Sequence, residues 1–166
     1  METSFLFMIR ITNQYLWNFV FAVFFIGLVT MAAIILETEA RLSYAELTLI
    51  DIVLMSLATY RLIRLVINDV GTKFFREQFW DTKESRGKII LVKPSGGPRR
   101  AIADVLSCCW CFGIWAAAMI IFFYLLTPYA QLPILILAIA GVGTWFQQLA
   151  ALTGWKAEQT KNEVAD

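Results

Sequence analysis

Residues 98–126 read PRRAIADVLSCCWCFGIWAAAMIIFFYLL. A proline and two arginines open the stretch, three cysteines fall within four positions, and an uncharged apolar run then continues to Leu126. Proline suits the first position of a helix, where its missing N–H has no partner to lose. The arginines mark one membrane face, so this stretch both supplies a span, Leu106 to Leu126, and orients it.

Outward from it the same reading recurs. Leu132 to Leu152 is a second uncharged run, separated from the first by Thr127-Pro128-Tyr129-Ala130-Gln131. Leu16 to Leu36, LWNFVFAVFFIGLVTMAAIIL, is a third; its 21 residues give about 31 Å of helix, close to the roughly 30 Å of a hydrocarbon core. A cleaved signal peptide is the competing reading of that run, but its apolar core would be shorter and a small-x-small cleavage site would follow. Leu47 to Ile67 is apolar with Asp51, Arg61 and Arg64 as interruptions. The two arginines lie near one end, where long side chains reach the headgroups, so a spanning helix is favoured over one lying in the interface. Ser43-Tyr44-Ala45-Glu46 has the S-x-x-E form of a capping box and places the start of that helix near Tyr44.

The composition agrees with membrane integration. Of 166 residues, 59% are hydrophobic and 16% charged, against about 25% charged in an ordinary soluble domain. A net charge of +1 argues against a nucleic-acid binder working through bulk charge. The chain has no histidine, which excludes histidine-based catalysis and histidine metal ligation.

The fold expected is therefore all-α: an integral membrane bundle of four transmembrane helices at about 16–36, 47–67, 106–126 and 132–152. Residues 1–15 form an N-terminal segment and 153–166 a polar, disordered tail, with Gly154 as a helix cap and Trp155 as an interfacial anchor. No internal repeat supports a transporter fold. Lys73, Arg76, Lys83, Arg86, Lys88, Lys93, Arg99 and Arg100 all lie in the 68–105 loop, while Arg41 is the one basic residue of the first connection and the last has none. The long loop and both termini are then cytoplasmic in the cell membrane.

Within the loop, Phe74, Phe75, Phe79 and Trp80 are interleaved with charges, as in an amphipathic segment at the membrane surface. KIILVK, 88–93, suits a short strand, and Ser95-Gly96-Gly97-Pro98 a turn.

Chemistry is confined to few residues. Cys108 and Cys111 form a C-x-x-C on one helical face, with Cys109 about 100° away. A structural zinc site takes four ligands and these cysteines supply three, so they are weak metal candidates unless Asp104, water or a second subunit completes the set. A redox role needs a thiolate of lowered pKa, and no thioredoxin-like βαβ pattern surrounds the motif. The bland reading is packing, since Cys109, Gly113 and Ala117 make a small-residue stripe for a protein partner or a second copy. Arg61, Arg64 and Asp104 come to the same membrane level and form a candidate structural polar cluster. The sequence assigns no catalytic residue, no cofactor and no nucleic-acid partner beyond the bilayer and that face.

Leu57-Ala58-Thr59-Tyr60-Arg61-Leu62 with Arg64-Leu65 and Asp69, Phe74-Phe75-Arg76, and Leu106-Ser107-Cys108-Cys109-Trp110-Cys111 followed by Trp115 resemble domain of unknown function family 1360. That is a family of small bacterial and phage membrane proteins that includes a sporulation-associated one. The resemblance covers roughly Leu47 to Leu152, with Cys109 where the family pattern has a proline. It implies an integral membrane protein and carries over no catalytic role. The reading that follows is a structural or partner-binding membrane component. A membrane thiol- or metal-dependent enzyme using the cysteine cluster is the alternative, and a phage holin or small channel a second one.

Overall fold

The computed structural model describes residues 2–40, 44–85 and 88–165. Six helices and one hairpin follow in order: α1 (Glu2–Glu39), α2 (Leu49–Ile67), α3 (Lys73–Glu77), β1 (Asp81–Ser85), β2 (Lys88–Val92), α4 (Pro98–Leu106), α5 (Cys109–Leu126) and α6 (Gln131–Ala165). Single 3-10 turns lie at Tyr44–Glu46, Val70–Thr72 and Pro128–Ala130.

Among the described residues three stretches are long and apolar enough to cross a membrane: Gln14–Glu39, Cys109–Leu126 and Pro128–Lys161. The remaining expected span, α2, has 19 residues and carries Asp51, Arg61 and Arg64. It is the central helix nonetheless, packed along α6 on one side and α5 on the other, while α1 lies against α5 and α4.

The directions of the helices follow from their contacts. Asp51, at the start of α2, meets Tyr124 near the end of α5 at 2.5 Å, and Ile63 meets Gly113 at the other end, so α2 and α5 are antiparallel. Leu57 and Tyr60 meet Gly141 and Gln148 in turn, so α6 runs parallel to α2. The main core, Leu36, Met55, Ala58, Ile120, Tyr124, Leu125, Ile134 and Ala138, draws on all four long helices. On α5 the buried positions Phe112, Ala116, Ile120 and Tyr124 recur every fourth residue, the spacing of one helical face. Gly113, the middle of the expected small-residue stripe, is covered by Ile63 within the chain, while Cys109 is exposed.

Several boundaries differ from the sequence expectation. The expected segment 1–15 is helical, since α1 runs unbroken from Glu2, and the apolar stretch begins at Gln14. The capping box of α2 is Thr48 with Asp51: the Asp51 N–H donates to Thr48 Oγ1 at 3.4 Å and the Thr48 N–H to Asp51 Oδ2 at 2.9 Å. It starts the helix at Leu49. Ser43 of the expected box lies outside the described residues. The third span begins at Cys109 because Ser107 and Cys108 leave the helix and Cys108 takes an extended conformation, which separates α4 from α5. At the other end α6 does not stop at Gly154 but continues to Ala165. A mid-helix glycine costs only about 1 kcal/mol against alanine, and the residues after it, KAEQTKNEVA, are mostly good helix formers.

The strand expected at 88–93 is present as Lys88–Val92 and pairs with Asp81–Ser85, from Asp81 opposite Val92 to Ser85 opposite Lys88. Apart from this hairpin the described residues are mostly helical, as expected. Asp81–Ser85 gave no strand signal because DTKES has little β-branched or aromatic content. Gly97 has φ +86°, the one described position requiring the left-handed side of the backbone map, and it turns the chain into Pro98 at the start of α4.

Candidate functional site

Where α4 gives way to α5, the hairpin, the two helix ends and the cysteines meet. Cys108 is the N-cap of α5, and its Sγ accepts the N–H of Cys111 at 3.2 Å. The Cys108 and Cys111 sulfurs are 2.6 Å apart. Cys108 is half-buried and Cys111 and Cys109 are exposed, all three with free thiols. The expected shared face for Cys108 and Cys111 thus arises from an N-cap and a residue in the first turn. Among the described residues no three metal-ligating side chains converge.

Beside the cysteines, Asp104 receives Lys93 Nζ at 2.8 Å and Arg100 Nε at 3.1 Å. Lys93 comes from just after β2 and also stands over the Trp80 ring, 5.8 Å from its centroid. Arg99 ties α4 to the hairpin through Asp81 at 3.3 Å and to the Gln78 carbonyl at 2.9 Å. Burial alone would raise the Asp104 carboxyl, but the hydrogen bonds and charges of Lys93 and Arg100 overcome it and hold Asp104 below the ordinary value. A depressed carboxylate contributes stability above its unfolded pKa and loses it as pH falls through the folded one. The Asp104 carboxyl carbon resonance is therefore expected to titrate below the ordinary aspartate range, and Lys93→Met to move the midpoint upward. A midpoint that Lys93→Met leaves in place would show that the pair is not coupled.

The expected cluster of Arg61, Arg64 and Asp104 is split. Asp104 is taken by Arg100, four residues before it on the same helix face, and by Lys93. Arg61 pairs with Asp69 at 2.8 Å. Arg64 reaches Gln148 of α6: with the amide oxygen turned toward the guanidinium, Arg64 Nη2 donates to it at 3.1 Å, Nη1 donates as well, and the amide nitrogen donates to the Tyr60 hydroxyl at 2.6 Å. Nε of Arg64 is buried with no partner among the described residues. Arg76 closes the end of α2 by donating to the carbonyls of Ile67 and, at 3.3 Å, Val66.

Of the aromatic residues expected at an interface, Phe74 and Phe75 are exposed. Phe79 turns inward, edge-on to Phe75 and against the Leu106, Phe112 and Ala116 cluster. Trp80 faces Lys93. Sequence reading missed Lys93, Arg100 and Gln148 as partners. The i,i+4 spacing of Arg100 and Asp104 carried a usable signal, whereas Gln148 is joined to Tyr60 and Arg64 only by the fold.

A family model described as "Protein of unknown function (DUF1360)" matches residues 54–150. The chain is 38% identical over 109 residues to the sporulation protein YjcA of Bacillus subtilis (strain 168), covering 61% of this chain and 92% of that protein. It is 34% identical over 97 residues to the UPF0713 protein YngL of the same organism, covering 58% of this chain and 75% of that protein. No solved structure matches. The chain belongs to the DUF1360 family, and the motif residues from Leu57 to Trp115 that resembled it all lie inside the matched region.

Proposed function

We propose that this family member is a four-span membrane protein with both ends cytoplasmic, serving as a structural or partner-binding component of the cell membrane in sporulation, the process named for its relative YjcA. The observation that carries the four-span reading is that α2 is coextensive with α5. It runs beside it from the Asp51 and Tyr124 pair at one end to Ile63 and Gly113 at the other. Nineteen residues span about 28 Å, so a bilayer crossed by α5 is crossed by α2. The alternating directions of α1, α2, α5 and α6 are those of a chain that returns to its starting side, and the basic residues of the 68–105 loop set that side as cytoplasmic.

A scaffold role is supported by how the polar groups are used. Arg61, Arg76, Lys93 and Arg99 each tie one element to another, and α1 leaves most of its apolar surface outward. That surface is available to lipid or to a protein partner.

Impermeant maleimide labelling tests the topology in a chain whose three cysteines are replaced by serine. A cysteine at Lys83 is expected to be protected in intact cells and labelled after permeabilisation, and cysteines at Thr38 and Tyr129 to label from outside. Outside labelling at position 83 would invert or break the topology. Protection at 38 together with labelling at 129 would place α2 in the interface.

A further inference from the structure

We infer that Cys108 and Cys111 form a reversible dithiol–disulfide pair, with Cys108 the attacking sulfur, that exchanges electrons with an external disulfide. The carrying observation is geometric. The two sulfurs face each other in contact across the first turn of α5, so joining them needs little movement of the backbone. Cys111 is exposed and Cys108 half-buried at the end of α5 that adjoins the 68–105 loop, where a small disulfide from the aqueous side can reach the pair. A sulfur at a helix N-cap receives backbone N–H groups that favour the thiolate, the reactive form. Here the Cys111 N–H lies 3.2 Å from Cys108 Sγ. The Cys108 thiol is lowered from its ordinary value, first by the Cys111 side chain and then by the Cys111 backbone, with smaller help from the Trp110 N–H and the Lys93 charge. Lys93 also holds Asp104, which places the hairpin's charge beside the reactive sulfur. Cys109 has no such arrangement: it is exposed on the other side of the turn.

The step balances as ordinary exchange. The Cys108 thiolate attacks one sulfur of the external disulfide and expels the other half as a thiolate, leaving a mixed disulfide on Cys108. Cys111, losing its proton, attacks Cys108 Sγ and expels the second half. Two protein thiols are oxidised by two electrons, the external disulfide is reduced to two thiols, and the two protons pass to the leaving thiolates.

The test uses the full chain in phospholipid nanodiscs, equilibrated in glutathione buffers from fully reduced to fully oxidised, quenched with acid, alkylated with maleimide and weighed intact. Alkylation is expected to fall from three thiols to one in a single two-electron step with no glutathione retained. Cys109→Ser should keep that step. Cys111→Ser should lose it and hold a glutathione adduct on Cys108, and Cys108→Ser should lose it as well. The pairing is overturned if all three thiols persist at the oxidising extreme, if they are lost one at a time as glutathione adducts, or if Cys109→Ser removes the step. An adduct on Cys109 in Cys111→Ser would overturn the assignment of Cys108 as the attacking sulfur.

Discussion

Gly141→Leu is expected to drive α2 and α6 apart and leave the bundle without its central contact. A Cβ at Gly141 would lie 2.6 Å from the Leu57 carbonyl oxygen and 3.3 Å from its carbonyl carbon, and neither atom can swing aside because both are backbone. Overpacking of side chains costs about 1–3 kcal/mol and occasionally more. Gly141→Ala should fall in that range, and leucine should exceed it because its branches add to the same clash. The control lies two residues away. Gly143 has open space around its ideal Cβ, so Gly143→Ala should gain helix propensity, by up to about 1 kcal/mol. One substitution type therefore changes sign between positions 141 and 143. Unfolding of the two variants in SDS-titrated mixed micelles, followed by circular dichroism, measures it. Equal shifts would mean that the α2 and α6 backbones do not touch there.

Gln148→Leu carries the second large effect, because it removes the amide that meets Arg64 and Tyr60. A hydrogen bond to a charged group is worth about 1.5–3 kcal/mol, and loss on this scale is expected since Arg64 already has a buried Nε with no partner among the described residues. Arg64→Leu alone should also destabilise, by stranding Gln148. The double variant should recover part of the loss, because replacing both partners leaves no buried polar group unmatched. The same micelle titration decides it. Additive losses would assign Arg64 to the headgroups and Gln148 to an independent role.

The apolar runs were legible in the sequence because hydrophobicity over twenty residues is a signal that tertiary context does not override. Helix ends were less so. Ser43-x-x-Glu46 and Thr48-x-x-Asp51 are both good capping patterns, and choosing between them needs the position of α5, whose Tyr124 holds Asp51. The break at Ser107 and Cys108 was hidden because nothing in Ser-Cys-Cys breaks a helix by itself. The charged residues were assigned other partners than the fold gives them. Partners depend on which face the hairpin presents, and β1 was not visible in DTKES. The cysteine pair was legible as a spacing. Its N-cap geometry became visible only with the break before it.

The continuation of α6 to Ala165 gives the chain a mechanical property. Thirty-five residues make a rod about 52 Å long, and a bilayer hides roughly 30 Å of it. The part beyond Leu152 is about 20 Å of helix whose described side chains are exposed. In a bilayer crossed by α6, that end would stand off the membrane surface and move as one body with the helix that touches α2. A push on the outer end would then reach the Gly141 crossing as torque, as along a lever, whereas a flexible tether over residues 153–165 would absorb it.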